Sequence, residues 1–319
     1  MMRISFLINC GSNSLRLLFN MNNKKTLSIT VGIPTCYSGN SLVRTVESIR
    51  NADLGKSVRI LVTADRNPMS NSILKELKKL KAEITWNSVE GSQFKKIKQM
   101  VQKTKSDIYI STQDDVTFDN NTIKEIINAF YDDPSLTMTG IRFLPLKSIT
   151  FFESAMVAMH KIVDTIAGKW NNGNNIFSAS GRCLAFRTKH IKKFRIPQAI
   201  VNGDTFFYFE NGNLGGTFKR LDKAIVYIRF PQKIQDQIGP SSRYQHSYQE
   251  LQDYFDRNIK NEYKIPLPIT LRAFIAEFTQ NPIPCAYYLI IRIYTRIVKL
   301  SKKEVTNTIW QVDSSTKST

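Results

Sequence analysis

Apolar runs and amphipathic stretches alternate through the first half of the chain. Residues 28–33 and 58–64 are rich in Ile and Val with few polar breaks, which predicts buried strands, the first ended by Pro34. A short strand is expected over 83–86 and another at Ile108-Tyr109-Ile110. Between them, 41–51 carries Leu42, Val46 and Ile49 at helical spacing, and 70–80 reads as an amphipathic helix with a basic outer face. Gly91-Ser92 starts a helix that turns Phe94, Ile97, Met100 and Val101 inward, and Asp119 opens a further one. Strand and helix taking turns in this way predict an α/β fold, a mostly parallel sheet with right-handed crossovers. No G-x-G-x-x-G or Walker loop occurs in it, so neither a dinucleotide-binding Rossmann site nor a P-loop is indicated.

The second half is less regular. A strand is expected over 136–143, a helix over 151–167, a polar loop over 171–175, and a turn into a strand over 178–187. Asn202-Gly203-Asp204-Thr205 precedes the aromatic run 206–209, with Asp204 well placed as a helix N-cap. The run 206–209 is read chiefly as core, and 223–228 as a strand closed by Pro231. Toward the end, 270–278 and 285–300 look helical. In the latter, Ile290, Ile293, Tyr294 and Ile297 share one face, while Arg292, Arg296 and Lys299 lie on another, with Lys302 and Lys303 just beyond. Such a helix suits a membrane interface. It equally suits a helix docked on the domain with its basic face in water.

Composition adds a constraint. A chain of 319 residues with 42% hydrophobic and 22% charged residues has the makings of a proper core. Its net charge of +19 suggests a polyanionic partner: nucleic acid, an anionic membrane surface or phosphorylated substrates. Cys10, Cys36, Cys183 and Cys285 are too scattered for a zinc spacing or a disulfide framework, which fits a reducing cytoplasm. With only His160, His190 and His246, a histidine-rich metal site is not expected. The longest uncharged apolar stretch near the C-terminus, 278–291, contains Pro282 and Pro284 and falls short of the roughly 20 residues a spanning helix needs. The mildly apolar start of the chain carries Arg3 and Arg16 and is split by Gly11-Ser12-Asn13-Ser14. It reads as a poorly ordered extension or a weak surface anchor, with no secretory signal expected.

The candidate chemistry sits in Ser111-Thr112-Gln113-Asp114-Asp115-Val116, two adjacent carboxylates at the end of a predicted buried strand. Open α/β sheets hold their ligands at that edge. A hard divalent cation takes oxygen ligands, so one or two carboxylates suffice when substrate phosphates complete its shell. The alternative is an exposed acidic turn before a helix. Asp65 ends the second strand in Asp65-Arg66-Asn67-Pro68 and has an ordinary turn as its alternative. Among Lys95, Lys96 and Lys98, at least two are read as a solvated basic face.

Together these elements resemble the family 2 glycosyltransferases of the GT-A fold over residues 27–245. The resemblance rests on Val31-Gly32-Ile33-Pro34-Thr35, Leu61-Val62-Thr63-Ala64-Asp65, Gly91 with its helix, Tyr109 to Asp115, Ser180-Gly181 leading to Phe186-Arg187, and Gly203-Asp204-Thr205. It implies transfer of a sugar, of the hexosyltransferase type, from a UDP- or GDP-linked donor to a hydroxyl acceptor with inversion. It would place Pro34, Thr35, Tyr37, Asp65, Gly91, Lys95, Asp114 and Arg243 around the nucleotide sugar, Asp65 on the base and Asp114 toward the ribose or pyrophosphate. Asp115 would hold Mg²⁺ or Mn²⁺, Gly181 would lie toward the acceptor, and Asp204 would be the general base. Trp170, in its asparagine-rich loop, is read apart from the resemblance as a candidate acceptor contact, with anchoring of the loop to the body as the more usual role. His246 would be at most an added metal ligand. A carboxylate base of this kind contributes about 10²–10⁴ in rate, with plain capping as the alternative for Asp204. The first aspartate of the usual D-x-D is replaced at Thr112 or Gln113, and Gly203 stands where many members have Glu. The Q-x-x-R-W motif of processive synthases is absent, which favours single additions.

The implied organisation is an N-terminal extension over 1–26, a GT-A domain over 27–255, and a helical, basic amphipathic region over 256–319. Within the domain, 27–118 forms the nucleotide half and 119–255 the acceptor half. The implied enzyme works in the cytoplasm, peripheral at the inner face of the cell membrane, on a lipid-linked or surface-glycan acceptor. A catalytically silent GT-A relative acting as a membrane scaffold is the competing expectation, and a basic nucleic-acid-binding protein a further one. No helix-turn-helix, RNA-recognition or zinc pattern supports the last.

Overall fold

The computed structural model of the chain describes residues 27–36, 39–52, 58–66, 68–198, 200–256, 258–298 and 314–317. Residues 1–26, Tyr37, Asn67, the His246 side chain, Lys299, Lys302 and Lys303 lie outside the described residues. Strands β1 (Ile29–Thr35), β2 (Arg59–Ala64), β3 (Ala82–Trp86) and β4 (Ile108–Thr112) run parallel, in the order β3-β2-β1-β4. The apolar runs are continuous because both faces of the sheet are covered. On β2, Ile60 and Val62 join one core cluster while Leu61 joins the other; on β4, Ile108 and Ile110 join the first and Tyr109 the second.

Helices α1 (Asn40–Asn51), α2 (Asn71–Lys79) and α4 (Thr122–Asp132) fill the first cluster. Helix α3 (Gln93–Lys103) fills the second with Phe94, Ile97, Met100 and Val101, the side chains its spacing singles out. Ser70 and Ser92 cap α2 and α3, each accepting a backbone N–H three residues on.

Beyond β4 the sheet turns mixed. Strand β7 (Cys183–Arg187) runs antiparallel to β4, followed by β6 (Leu136–Pro145), β8 (Thr217–Ile228) and β5 (Val116–Phe118). Helix α5 (Phe151–Lys169) precedes β7, the single turn α6 (Thr188–Ile191) follows it, and α7 (Gly203–Asn213) buries Phe206, Phe207 and Phe209 in the second cluster. Sequence patterning misses β5 and the first half of β8, whose alternating residues are largely exposed. It also misses α8 (Ile234–Phe255), because Gly239 and Pro240 inside that helix read as breakers.

Helices α9 (Leu267–Gln280) and α10 (Pro282–Ile297) both pack on α5. Pro282 and Pro284 lie in the first turn of α10, where a missing N–H costs nothing, so the apparent interruption is a helix start. The short α11 (Ser314–Lys317) closes the described chain. Among the described residues no helix is long and apolar enough to cross a membrane.

His160 on α5 is buried between Phe143 and Phe230, and its Nε2–H donates to the Phe143 carbonyl at 2.9 Å. Burial pushes its pKa down to about 4 from an ordinary 6.5. Below pH 6.5 the unfolded chain takes up a proton that the folded chain refuses, so stability falls as pH drops toward 4. In urea unfolding at pH 7 and 4.5, wild type should lose about 2 kcal/mol more than His160→Gln, which keeps an N–H for Phe143. Equal losses would remove His160 from the acid response.

Candidate active site

Parallel pairing brings the carboxyl ends of β1, β2 and β4 to one edge of the sheet, Thr35 opposite Ala64. Antiparallel pairing of β7 sets Cys183 opposite Thr112, which delivers Arg182 to the same edge from the other direction. The Thr112 hydroxyl donates to the Arg182 carbonyl at 2.7 Å and pins the two strand ends together. Hence residues far apart in sequence meet around Asp114 and Asp115.

Asp65 follows β2 and is fully buried. Lys96 donates to its Oδ1 at 2.7 Å and to the Thr35 carbonyl at 3.0 Å, while the Gly91 N–H donates to its Oδ2 at 2.9 Å. With both oxygens engaged, the fully buried Asp65 ties β1, β2 and the entry of α3 together. Lys96 therefore leaves the solvated face of α3, where Lys98 remains; Lys95 is half-buried beside Gly91.

Asp114 is buried. The Thr35 hydroxyl donates to its Oδ2 at 2.5 Å, and Lys317 of α11 donates to both carboxylate oxygens at 2.8 Å. Burial pushes the Asp114 carboxyl up, against the pull of Lys317. Asp115 pairs with Arg182, whose Nη1 lies 3.1 and 3.3 Å from its two oxygens and donates to Gln113 at 2.7 Å. Cys36, a free thiol, sits within the same charge cluster, near Lys317, Lys96 and Arg66.

Asp204 lies one residue into α7, and Asn202, not Asp204, caps that helix by accepting from the Thr205 N–H at 3.3 Å. The expected capping role is thereby corrected, and the carboxylate is released for other contacts. It accepts from the Gly181 N–H and lies within the field of Arg182; burial pushes its pKa up against both. A Cβ at Gly181 would collide with the Asp204 Oδ1, so a larger residue there would displace that carboxylate. At Gly203 a Cβ would meet the Phe94 ring at 2.5 Å, so the residue that departs from the resembled pattern is fixed by packing of α7 on α3. The exposed Tyr244 of α8 feels the charges of Asp204, Arg182 and the half-buried Arg243.

Asp115, Arg182, Gly181 and Asp204 therefore meet at this sheet edge, with Thr35, Asp114 and Lys317 adjoining and Tyr244 and Arg243 within reach of their charges. Pro34 lies within β1, paired with Thr63. Trp170 does not join the site: it is buried in the second core cluster and packs against Phe177, ring centres 5.9 Å apart. It anchors its loop to the body, the alternative to an acceptor contact. Arg182, Lys317 and Tyr244 are the participants sequence patterning overlooks, and Lys96 is the one of the three α3 lysines that leaves its solvated face. Only Arg182 had a local signal, standing beside Gly181 before a predicted strand.

No protein-family model matches the chain, and no curated protein sequence matches it. Solved structures do. The mannosyltransferase PcManGT from Pyrobaculum calidifontis, solved with GDP-Man and Mn²⁺, is 12% identical, covers 89% of this chain and 85% of its own, and superposes with a TM-score of 0.52. Glucosyl-3-phosphoglycerate synthase from Mycobacterium tuberculosis, solved with Mg²⁺ and UDP, is 11% identical over 72% of this chain and 80% of its own, at 0.50. S. aureus TarS is 14% identical over 85% of this chain but 53% of its own length, also at 0.50. The chain thus has the GT-A fold, with its mixed sheet flanked by helices.

Proposed function

We propose that the chain is a divalent-metal-dependent glycosyltransferase that moves a sugar from a UDP- or GDP-linked donor to an acceptor hydroxyl with inversion, one unit at a time. The observation that carries this reading is Arg182 at the carboxyl edge of a GT-A sheet, paired with Asp115 and near enough to Asp204 for its charge to act on that carboxyl. Two acids sharing an edge with basic side chains can neutralise a leaving diphosphate on one side and take a proton on the other.

The residues present fit a hard cation. A carboxylate offers about four lone-pair sites, and the single Arg182 nitrogen on Asp115 leaves some of them free. Among the described residues no three acids, histidines or cysteines cluster, so substrate phosphates must complete the shell. Asp115, with Asp114 beside it, would hold the ion, which when bound acts as a Lewis acid on the diphosphate. Asp204 takes the acceptor proton. The Gly181 N–H fixes one of its oxygens, and burial makes it a stronger base than an ordinary aspartate. Arg182 orients Asp115 and acts on Asp204 through its charge, and Arg243 would meet the leaving phosphates. Thr35 holds Asp114 in place.

The acceptor we favour is lipid-linked or a surface glycan, met at the inner face of the cell membrane; the net charge of +19 supports an anionic surface as partner. A catalytically silent relative is the second reading, favoured by the cations already seated on Asp114 and Asp115. A thermal-shift screen of nucleoside diphosphate sugars with and without Mn²⁺ separates donor binding from none. At a hundred times its dissociation constant, a donor should add about 2.7 kcal/mol of stability, and only with the metal. No shift with any donor would defeat the enzymatic reading; a shift without turnover would favour the silent one.

A further inference from the structure

Amphipathic helices ordinarily dock through their apolar face. Helix α10 has apolar side chains on both sides. It meets the body through Cys285, Ile291 and Thr295, while Ile283, Ile290, Ile293 and Ile297 stand 62–75% exposed along the opposite side. Helix α9 repeats the arrangement: Ala273 and Glu277 are buried, and Leu267, Leu271, Ile275 and Phe278 form an exposed stripe at helical spacing. Both helices lie on α5, so the sides turned away from it form one apolar face. Scattered exposed leucines are ordinary, but two neighbouring stripes of this kind mark an interaction surface.

Charge tells what the surface meets. Arg272, Arg292 and Arg296 are exposed beside the stripes. Glu277, the sole acid on either helix, is turned inward, 3.4 Å from Lys161 of α5 and bonded to Asn281. The outward side is therefore apolar and purely cationic, with Tyr294 at its margin. A second copy of the same face would bring arginines against arginines, and a nucleic acid has no use for isoleucines. An anionic bilayer satisfies both features: acyl chains take the isoleucines and headgroup phosphates take the arginines.

We propose that α9 and α10 together form a membrane-docking face that inserts its two apolar stripes into the interface of an anionic bilayer. This extends the membrane-peripheral part of the proposed function, and it stands apart from the catalytic part because none of its residues is among those proposed for the reaction.

The test uses the full chain and vesicles of phosphatidylcholine alone or with about 30% phosphatidylglycerol. Wild type should sediment with the anionic vesicles and much less with the neutral ones. Ile290→Ser/Ile293→Ser/Ile297→Ser should weaken binding at least about tenfold, since each loses buried apolar area in the bilayer. Arg292→Gln/Arg296→Gln should weaken it about fivefold per arginine and flatten its salt dependence. These side chains point away from the body, so melting temperatures should hold. Tyr294→Trp supplies a readout within a folded chain, its added indole emission shifting to the blue on anionic vesicles. No binding, a triple-serine variant that binds as well as wild type, or an emission of the Tyr294→Trp variant indifferent to lipid overturns the proposal. So does a wild-type dimer that the serine substitutions dissociate, which would make the face a self-association surface. A chain that transfers sugar to a soluble acceptor yet ignores vesicles would sink this inference alone; one that binds vesicles but no donor would sink only the catalytic reading.

Discussion

Asp204→Asn should lower sugar transfer by about 10²–10⁴-fold, the usual worth of a positioned general base. The substitution is a clean one. Asn202 caps α7, so the helix start does not depend on Asp204. An asparagine carbonyl still accepts from the Gly181 N–H, and a neutral amide is cheaper to bury than the carboxylate whose pKa burial has raised. Stability should therefore change by no more than about 0.5 kcal/mol. The base acts only when ionised. Because burial moves its pKa upward, wild-type kcat should fall as pH drops through a value above the ordinary aspartate range. The residual activity of the asparagine variant should lack that acid limb. Full activity, or an unchanged acid limb in the variant, would take Asp204 out of the reaction and leave it a positioning residue for the Gly181 turn.

The parts of this molecule legible in its sequence are those whose cause is local. Ile60, Leu61 and Val62, like Ile108, Tyr109 and Ile110, announce buried strands because a sheet covered on both faces favours unbroken apolar runs. Phe94, Ile97, Met100 and Val101 announce α3 because a single helix face selects them. What stayed hidden depends on contacts between distant segments. Arg182 reaches Asp115 only because β7 enters the sheet antiparallel beside β4, a register no nearby residue encodes. Lys317 meets Asp114 across 203 residues of sequence. Lys96 looks like one more lysine on a basic helix, yet it is buried because Asp65 waits at the end of β2. Asp65 misleads in the opposite direction: an acid in a turn suggests an open contact, whereas the fold spends it as a brace. Helix α10 shows the limit of periodicity itself. The pattern identifies the apolar face correctly and says nothing about which side the body takes.

The charges around Asp114 and Asp115 decide a second expected result. Asp115→Asn should abolish metal-dependent transfer, with a loss of at least about 10²-fold, because Lewis-acid stabilisation of a leaving diphosphate is worth several kcal/mol. The fold should survive. Arg182 loses an ionic partner but keeps Gln113, and at 26% side-chain exposure it still reaches water. Metal affinity can be read without turnover, by the electron paramagnetic resonance of free Mn²⁺ in the presence of UDP or GDP. Asp115→Asn should raise the Mn²⁺ concentration needed for half-saturation. Lys317→Ala should lower it, since the ammonium occupies both oxygens of Asp114, and a cation drawn to this pair of acids must compete with it. The two substitutions pull in opposite directions on one measured quantity, which a general loss of structure cannot imitate. If Asp115→Asn binds Mn²⁺ like wild type, the acids form a purely structural ion-pair network with Arg182 and Lys317, and the neutralising charge for the diphosphate has to come from those two cations instead.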